Sequence, residues 1–531
     1  MTAASAQYDA VIAALERPDA YPEPPGAIEH MQTHISHLFL TRHFVYKVKK
    51  PVDFGFLDFT TLELRKHFCF EELRLNRRLS PSVYLDVIEL RQDPLGRVTL
   101  GGQGKAIEYA VKMRRLPADR AMSNLLANNQ LTEAMVEQLA AQIGAFHKTA
   151  ATDARISSFG APEAIAAVIA QNFEQTQKYR KRSISPKKYQ RLQAYSEAFL
   201  QQQRNLLEQR QQQGLVRDGH GDLHSAQVFI TEQGAQIIDC IEFLEAFRYT
   251  DILADAAFMA MDLDQAGRHD LSLIFMDAWR NATGDTRNDA LLDFYKVYRA
   301  YVRGKVESFR LDDPALLEEE RRSVTARAQR YFNLAYLYIS QTAKPKVVLM
   351  SGMVGTGKST VARQIACDGG MAVLSTDIIR KQLAGIPPTE RNYASFGGGI
   401  YTPEFSKRTY DTLFSRAAQY LKEGRSVLLD ATFGKRSARE AAANFAAQHS
   451  AEFWVVECVA EEDQIKQRLL RRERRGRSIS DGRWEIYEQE KTTFEPLTET
   501  SRERHIVQDT THAPARDCAQ EVLTQLGIEP A

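Results

Sequence analysis

The run GMVGTGKST at residues 352–360 matches G-x-x-x-x-G-K-[ST] at Gly352, Gly357, Lys358 and Ser359. Each residue type has a task at that spacing. Glycines at 352, 355 and 357 let backbone N–H groups curl around phosphate oxygens, and the Lys358 ammonium reaches the β and γ oxygens. Ser359, followed by Thr360, supplies a hydroxyl to Mg²⁺ at the start of a helix whose dipole favours anions. The expected ligands are ATP and Mg²⁺. Further on, STDIIRKQLAG sets Asp377 and Arg380 at the mouth of a sheet, where open α/β folds bind ligands. There an aspartate can accept a proton from an attacking hydroxyl and an arginine can hold the transferring phosphoryl group. Taken in isolation, a helix-terminal aspartate with a solvated arginine accounts for the same pair. Asp430 closes the apolar strand of SVLLDATF and is the candidate second metal ligand. The arginine-dense IKQRLLRRERRGRSISDGRW reads either as a solvated basic helix or as a lid whose Arg468, Arg472 or Arg477 closes on ATP.

A second constellation lies upstream. HGDLH at 220–224 puts Asp222 on a loop, and IIDCIEF puts Asp239 at the end of a strand. Phosphoryl transfer requires such a pair, one carboxylate for the hydroxyl and one for Mg²⁺. His220 and His224 are read as structural members of that loop rather than as bases. HMQTHISH at 30–37 overlaps a strand start and has no cysteine nearby, so it is not read as a metal site.

The elements that must carry these residues fall into two groups. From residue 346 the chain alternates apolar strands (KVVLMS, MAVLS, SVLLD, EFWVVEC, RHIVQD) with amphipathic helices, which predicts a parallel α/β sheet covered on both faces. Before it come strand-like pieces (HISHLFL, HFVYKVKK, SVYLDVIEL, RVTLG, AIEYAVKMRRL), one helix near 61–79 and a long helical region from Thr132, an α+β pattern. The polar hexapeptide QTAKPK marks the seam, giving domains over 1–340 and 347–531 joined by a linker at 341–346. A chain of 531 residues is long enough for both. Lys+Arg 69 against Asp+Glu 68 gives a net charge of +1, which excludes binding of nucleic acid or membrane through bulk charge alone. No apolar run is long enough to span a bilayer, the N-terminus lacks a signal-peptide pattern, and the five cysteines form no CxxC pair. A cytoplasmic protein is expected, without membrane association.

The C-terminal residues quoted above resemble the P-loop kinase group that includes gluconate kinases, zeta-toxin kinases and polynucleotide 5′-kinases. That resemblance implies ATP-dependent phosphorylation of a hydroxyl with Asp377 as base, and an acceptor pocket along 385–405. The order FVYK, FCFEELRLNRRL, EYAVKMRRLP, HGDLH, IID resembles aminoglycoside phosphotransferases, choline kinases and other protein-kinase-like small-molecule kinases. It implies that Lys47 meets the triphosphate, that Glu72 (or its neighbour Glu71) pairs with Lys47, and that residues 108–117 form the hinge beside adenine. Two positions depart from that pattern. Gln227 stands where an asparagine metal ligand is usual, and the turn before HFVYK, Thr41-Arg42, has no glycine-rich loop. The tandem order resembles bacterial bifunctional aminoglycoside phosphotransferase/ATP-binding proteins. The expected activity is phosphoryl transfer from ATP to a hydroxyl-bearing acceptor, a small molecule or a nucleic-acid 5′ end. The alternative is an ATP-binding, ligand-sensing protein with a degenerate N-terminal kinase fold.

Overall fold

The computed structural model describes residues 3–387, 390, 398–474 and 480–531. Arg477 and parts of the 385–405 and arginine-rich segments lie outside the described residues.

The N-terminal sheet has six antiparallel strands in the order β1-β2-β3-β6-β4-β5. They are β1 (Glu29–Gln32), β2 (Ser36–Leu40), β3 (Phe44–Lys49), β4 (Tyr84–Gln92), β5 (Val98–Leu100) and β6 (Lys105–Arg114). Period-2 alternation sorts β3: Tyr46 and Val48 join the core on one face, which leaves Lys47 and Lys49 on the other. The first face is covered by a helix over Ala3–Leu15, through Val11, Ala14 and Leu15. The second is covered by the helix Leu62–Asn76, capped by the Thr61 hydroxyl accepting from Leu64 N–H (3.2 Å). Positions 69, 72 and 73 of that helix share one side, so Cys69 and Leu73 pack on the sheet and bring Glu72 with them.

A helical lobe follows. It includes the short strands β7 (Val216–Asp218), β8 (Val228–Thr231), β9 (Gly234–Ile237) and β10 (Tyr249–Asp251), paired β7 with β10 and β8 with β9. Its core joins the helices Glu133–Thr149, Ile252–Gln265, His269–Thr283, Asp289–Phe309 and Glu318–Ile339. Gly304 lets the last two meet closely: a Cβ there would lie 2.8 Å from the Phe332 ring.

The C-terminal domain is a five-stranded parallel sheet, order β12-β13-β11-β14-β15, built from β11 (Lys346–Ser351), β12 (Ala372–Ser375), β13 (Val427–Asp430), β14 (Glu452–Val459) and β15 (His505–Asp509). Helices cover both faces through two separate apolar clusters. Among the described residues no helix is long and apolar enough to cross a membrane.

The polar connector is held on both sides. Thr342 N–H donates to Gly424 O (2.8 Å), and Gln341 donates to Asp293 (2.6 Å). Arg425 of the C-terminal domain, fully buried, donates to Asp293 of the helical lobe (2.6 Å). His269 sits between Asp264 (2.7 Å) and Glu423 (2.9 Å) and stacks on Tyr420. Burial disfavours the imidazolium, but Asp264 and Glu423 outweigh it and lift the His269 pKa from 6.5 to about 9. A base whose pKa rises on folding stabilises the fold fully below its unfolded value and loses that contribution as pH rises through the folded one. Thermal unfolding of the whole protein should therefore show a His269-dependent stabilisation at pH 6 that fades between pH 6.5 and about 9. His269→Gln should remove it, and parallel pH profiles for the two proteins would contradict this reading.

Candidate functional site

Three strands end together at the C-terminal edge of the parallel sheet. Ser375 and Met350 both register with Asp430, so the 352–360 loop, Asp377 and Asp430 emerge side by side. The loop's left-handed positions, Gly355 (φ +86°) and Gly357 (φ +88°), strain any residue with a side chain, and a Cβ at 355 would also sit 2.7 Å from Ile465. Lys358 is buried and donates to Met353 O across the loop (2.9 Å), while Ser359 and Thr360 face outward at the helix start. Burial pushes the Asp430 carboxyl above its ordinary range, against the pull of Lys358 and Ser359.

Sequence reasoning missed Glu490, on the helix Trp484–Thr493. It accepts from Val354 N–H in the loop (2.7 Å) and from Thr432 (3.4 Å), and burial raises its pKa against the pull of Lys358. The Asp377 charge is felt at both Asp430 and Glu490. Arg380 is buried one helical turn beyond Asp377, with its guanidinium 4.6 Å over the Tyr401 ring and its Nε without a hydrogen-bond partner. Tyr401 donates to Asp481 (2.7 Å), which also pairs with Lys381 (3.1 Å), so the SD end of the arginine-rich segment is anchored beside Arg380.

Of the three arginines read as a lid, Arg468 has another task. It donates to Gly355 O (3.5 Å), Thr510 Oγ1 (3.0 Å) and the carbonyl of Thr510, fastening the loop to the end of β15. Arg472 stands in the last turn of the helix Glu462–Arg474.

The N-terminal constellation also converges. Lys47 donates to Glu72 (2.7 Å) and Asp239 (2.6 Å), and Gln227 donates to the other Asp239 oxygen (3.2 Å). Glu71 instead pairs with Arg74 on the outer side of the helix. Burial opposes the Lys47 charge, but Asp239, Glu72 and Glu242 hold its pKa well above the ordinary lysine value. Lys49 and Glu242 were not anticipated. Fully buried Lys49 bonds the second Glu72 oxygen (2.7 Å) and Glu242, so Glu72 is clamped by two lysines from one strand face. Period-2 spacing from Lys47 was the available signal for Lys49; Glu242 had none.

The HGDLH loop hangs on Asp255, which accepts from His220 N–H (2.8 Å) and Gly221 N–H (3.0 Å). Trp279 donates to His147 (3.0 Å), which donates in turn to Asp255 (3.2 Å). Gly221 has φ +87°, and a Cβ there would lie 2.8 Å from Phe247 O. Burial keeps His220 neutral; its Nε2–H donates to Ile238 O (2.9 Å) and its Nδ1 accepts from Asp222 N–H (3.3 Å). His220 thus bolts the Asp222 loop to the strand end that presents Asp239. His224 donates to Asp222 (3.3 Å). Burial works against the Asp222 charge, but His224 and Arg303 outweigh it and hold the carboxyl well below its usual range.

Two expected features sit elsewhere. Most of 108–117 is interior to the sheet, as β6 between β3 and β4, and only Arg115–Pro117 leave it. Because β1 precedes β2, the first hairpin turn is Thr33–Ile35 at the Lys49 end, rather than Thr41-Arg42; it also contains no glycine.

The fold and the two sites define a protein made of two kinase-type domains. Residues 70–302 match the phosphotransferase enzyme family, and residues 347–497 match the family described as an AAA domain. The chain is 31% identical over 457 residues to uncharacterized protein Rv2004c of Mycobacterium tuberculosis (strain ATCC 25618 / H37Rv), covering 86% of this chain and 88% of that one. The same figures hold for uncharacterized protein Mb2027c of Mycobacterium bovis. The chain belongs to the same family as these mycobacterial proteins. Among solved structures it is similar to spectinomycin phosphotransferase APH(9)-Ia (12% identity, 62% of this chain, 98% of that chain, TM-score 0.34). It is also similar to a gluconokinase from Sinorhizobium meliloti 1021 (20% identity, 34% and 92%, TM-score 0.25).

Proposed function

We propose that the protein transfers the γ-phosphoryl group of ATP to a hydroxyl-bearing acceptor, with domains over 1–340 and 347–531 joined by the segment 341–346. The observation that carries this reading is the meeting of Lys358, Ser359, Asp430, Asp377 and Glu490 at one sheet edge. In the C-terminal site the loop amides of 352–358 and Lys358 hold the triphosphate, joined by Thr360 and Arg472. The acceptor oxygen bonds to the γ-phosphorus, the bond to the β-phosphate oxygen breaks, and ADP leaves. Asp377 takes the hydroxyl proton, and Arg380 carries the charge of the transferring group. The donor set of Ser359 and Asp430 is oxygen-only and fits Mg²⁺, which supplies charge neutralisation when bound.

In the N-terminal site Lys47, positioned by Glu72, holds the triphosphate; Asp222 receives the acceptor proton; Asp239 and Gln227 are the metal-side oxygens. The glycine-free turn at Thr33–Ile35 favours a second reading for this half alone, a nucleotide-responsive module with weak transfer. The deciding experiment is labelled-phosphate transfer from ATP to sugars, nucleosides, aminoglycosides and 5′-OH oligonucleotides, using the full chain and the single variants Lys358→Ala and Asp239→Ala. Transfer surviving neither variant alone would tie both sites to one reaction, absence of transfer in the Lys358→Ala chain alone would favour the second reading, and transfer to none of these acceptors by the full chain would overturn the proposal. In a Lys358→Ala chain, Asp239→Ala should abolish the remaining ATP·Mg²⁺-dependent thermal stabilisation, whereas Gln227→Asn should preserve or raise it. A shift that survives Asp239→Ala would remove Asp239 from the site.

A further inference from the structure

The helix Asp289–Phe309 runs behind the HGDLH loop. Arg299 donates from it to Gly221 O (3.0 Å) and Ala254 O (3.1 Å), which fixes its register against the loop. Residues four apart share one helix side, so Arg303 extends from the same side one turn further on. Gly304, packed on Phe332, fixes the height of that turn against the helix Glu318–Ile339. The Arg303 guanidinium lies 5.5 Å from the Tyr331 ring. Its Nε is buried without a hydrogen-bond partner. Its charge reaches Asp222 and Asp262, yet among the described residues no carboxylate pairs with it within 4.0 Å. Asp262 is already engaged, accepting from Ser225 N–H (2.9 Å), and Asp222 is held by His224.

Burial works against the Arg303 charge, but Tyr331, Asp222 and Asp262 outweigh it and raise its pKa; what the partly buried guanidinium lacks is an anion in direct two-point contact. Buried arginines are normally paired with a carboxylate or with several carbonyls, because an uncompensated buried charge is costly. The planar fork of arginine matches phosphate and carboxylate groups in two-point contacts. Arg303 and Asp222 act on each other electrostatically, so an anion held by this guanidinium would lie near the carboxylate that faces the acceptor hydroxyl. A polycationic acceptor would meet Arg303 with like charge instead, at a cost in affinity.

We propose that Arg303 is the specificity-determining residue of the N-terminal site, and that the acceptor there is an alcohol carrying an anionic group, phosphate or carboxylate, bound by the Arg303 guanidinium beside Tyr331. This rests on the reading of Asp222 as the group that faces the acceptor hydroxyl.

The test uses the full chain with Lys358→Ala, so that turnover reports the N-terminal site. ADP release from ATP·Mg²⁺ is measured with matched acceptors: glycerol and glycerol 3-phosphate, ribose and ribose 5-phosphate, glycerate, and kanamycin as a polycationic polyol. The expected result is preference for the anionic members by about tenfold or more in kcat/KM, lost in Arg303→Gln mainly through KM and partly retained in Arg303→Lys. Binding is read separately, by thermal stabilisation with inorganic phosphate in the presence of saturating ADP·Mg²⁺. Part of the phosphate-dependent shift should disappear in Arg303→Gln while the ADP-dependent shift persists. Preference for kanamycin or a neutral alcohol would overturn the proposal. So would an Arg303→Gln loss that is equal for all acceptors, or phosphate shifts identical in the two proteins with the ADP response intact. Loss of the ADP response in the parent chain would instead overturn the reading of the N-terminal site itself.

Discussion

Replacing Lys358 with alanine should lower ATP turnover at the C-terminal site by about 10²–10³-fold, the usual cost of one preorganised charge contact at a transferring group. The measurement is made in the full chain carrying Asp239→Ala, so that the N-terminal site contributes nothing. Lys358 is the cation that offsets two carboxylates, buried Asp430 and partly buried Glu490, both pushed upward by desolvation. Its removal leaves them facing the triphosphate without a counter-charge. Affinity for ATP should fall together with rate, since the ammonium meets the phosphates in the ground state as well. Turnover within about twofold of the parent would end the assignment of this loop as a catalytic phosphate site.

Asp377→Asn should act differently. An acceptor base matters only while the hydroxyl proton moves, so kcat should fall by about 10²–10⁴-fold with ATP affinity nearly unchanged. Asparagine keeps the shape and removes the basicity, and Asp377 is only partly buried, so folding should be preserved. Calorimetric titration with a non-hydrolysable ATP analogue, beside single-turnover transfer, separates the two effects. An equal loss of binding and rate would place Asp377 at the metal, with Asp430, and leave the base to be found elsewhere.

These two residues were legible in sequence because their chemistry is local. The glycine spacing around Lys358 is contiguous, and the apolar strands before Asp377 and Asp430 announce a parallel sheet whose edge collects them. The Lys47–Glu72 pair was legible only through the family resemblance, which left Glu71 open; the burial of Cys69 and Leu73 in the structure is what turns Glu72 to the sheet. Glu490 was not legible. It reaches the loop from 136 residues away, on a helix whose pattern is that of any amphipathic surface segment. Arg468 shows the converse failure. Arginine density suggested a moving lid, whereas its guanidinium is committed to Gly355 and Thr510 by contacts that only tertiary structure creates. The helix Ala3–Leu15 and strand β1 went unrecognised because neither carries a strong periodic signal, and missing β1 displaced the expected phosphate-covering turn by one hairpin.

The clamp between Asp264, His269, Glu423, Arg425 and Asp293 has a consequence for how such a chain can change over generations. A recombination breakpoint within 341–346 looks harmless in sequence, since it cuts only a polar hexapeptide. It would nevertheless hand each descendant one half of a charged lock, with Arg425 and Glu423 in one lineage and Asp293 and His269 in the other. Each stranded half would need new counter-charges before it could shed its old neighbour. The two halves are thus more easily inherited as a block than exchanged as modules, and the shared length with the mycobacterial proteins, 457 residues, runs through both of them.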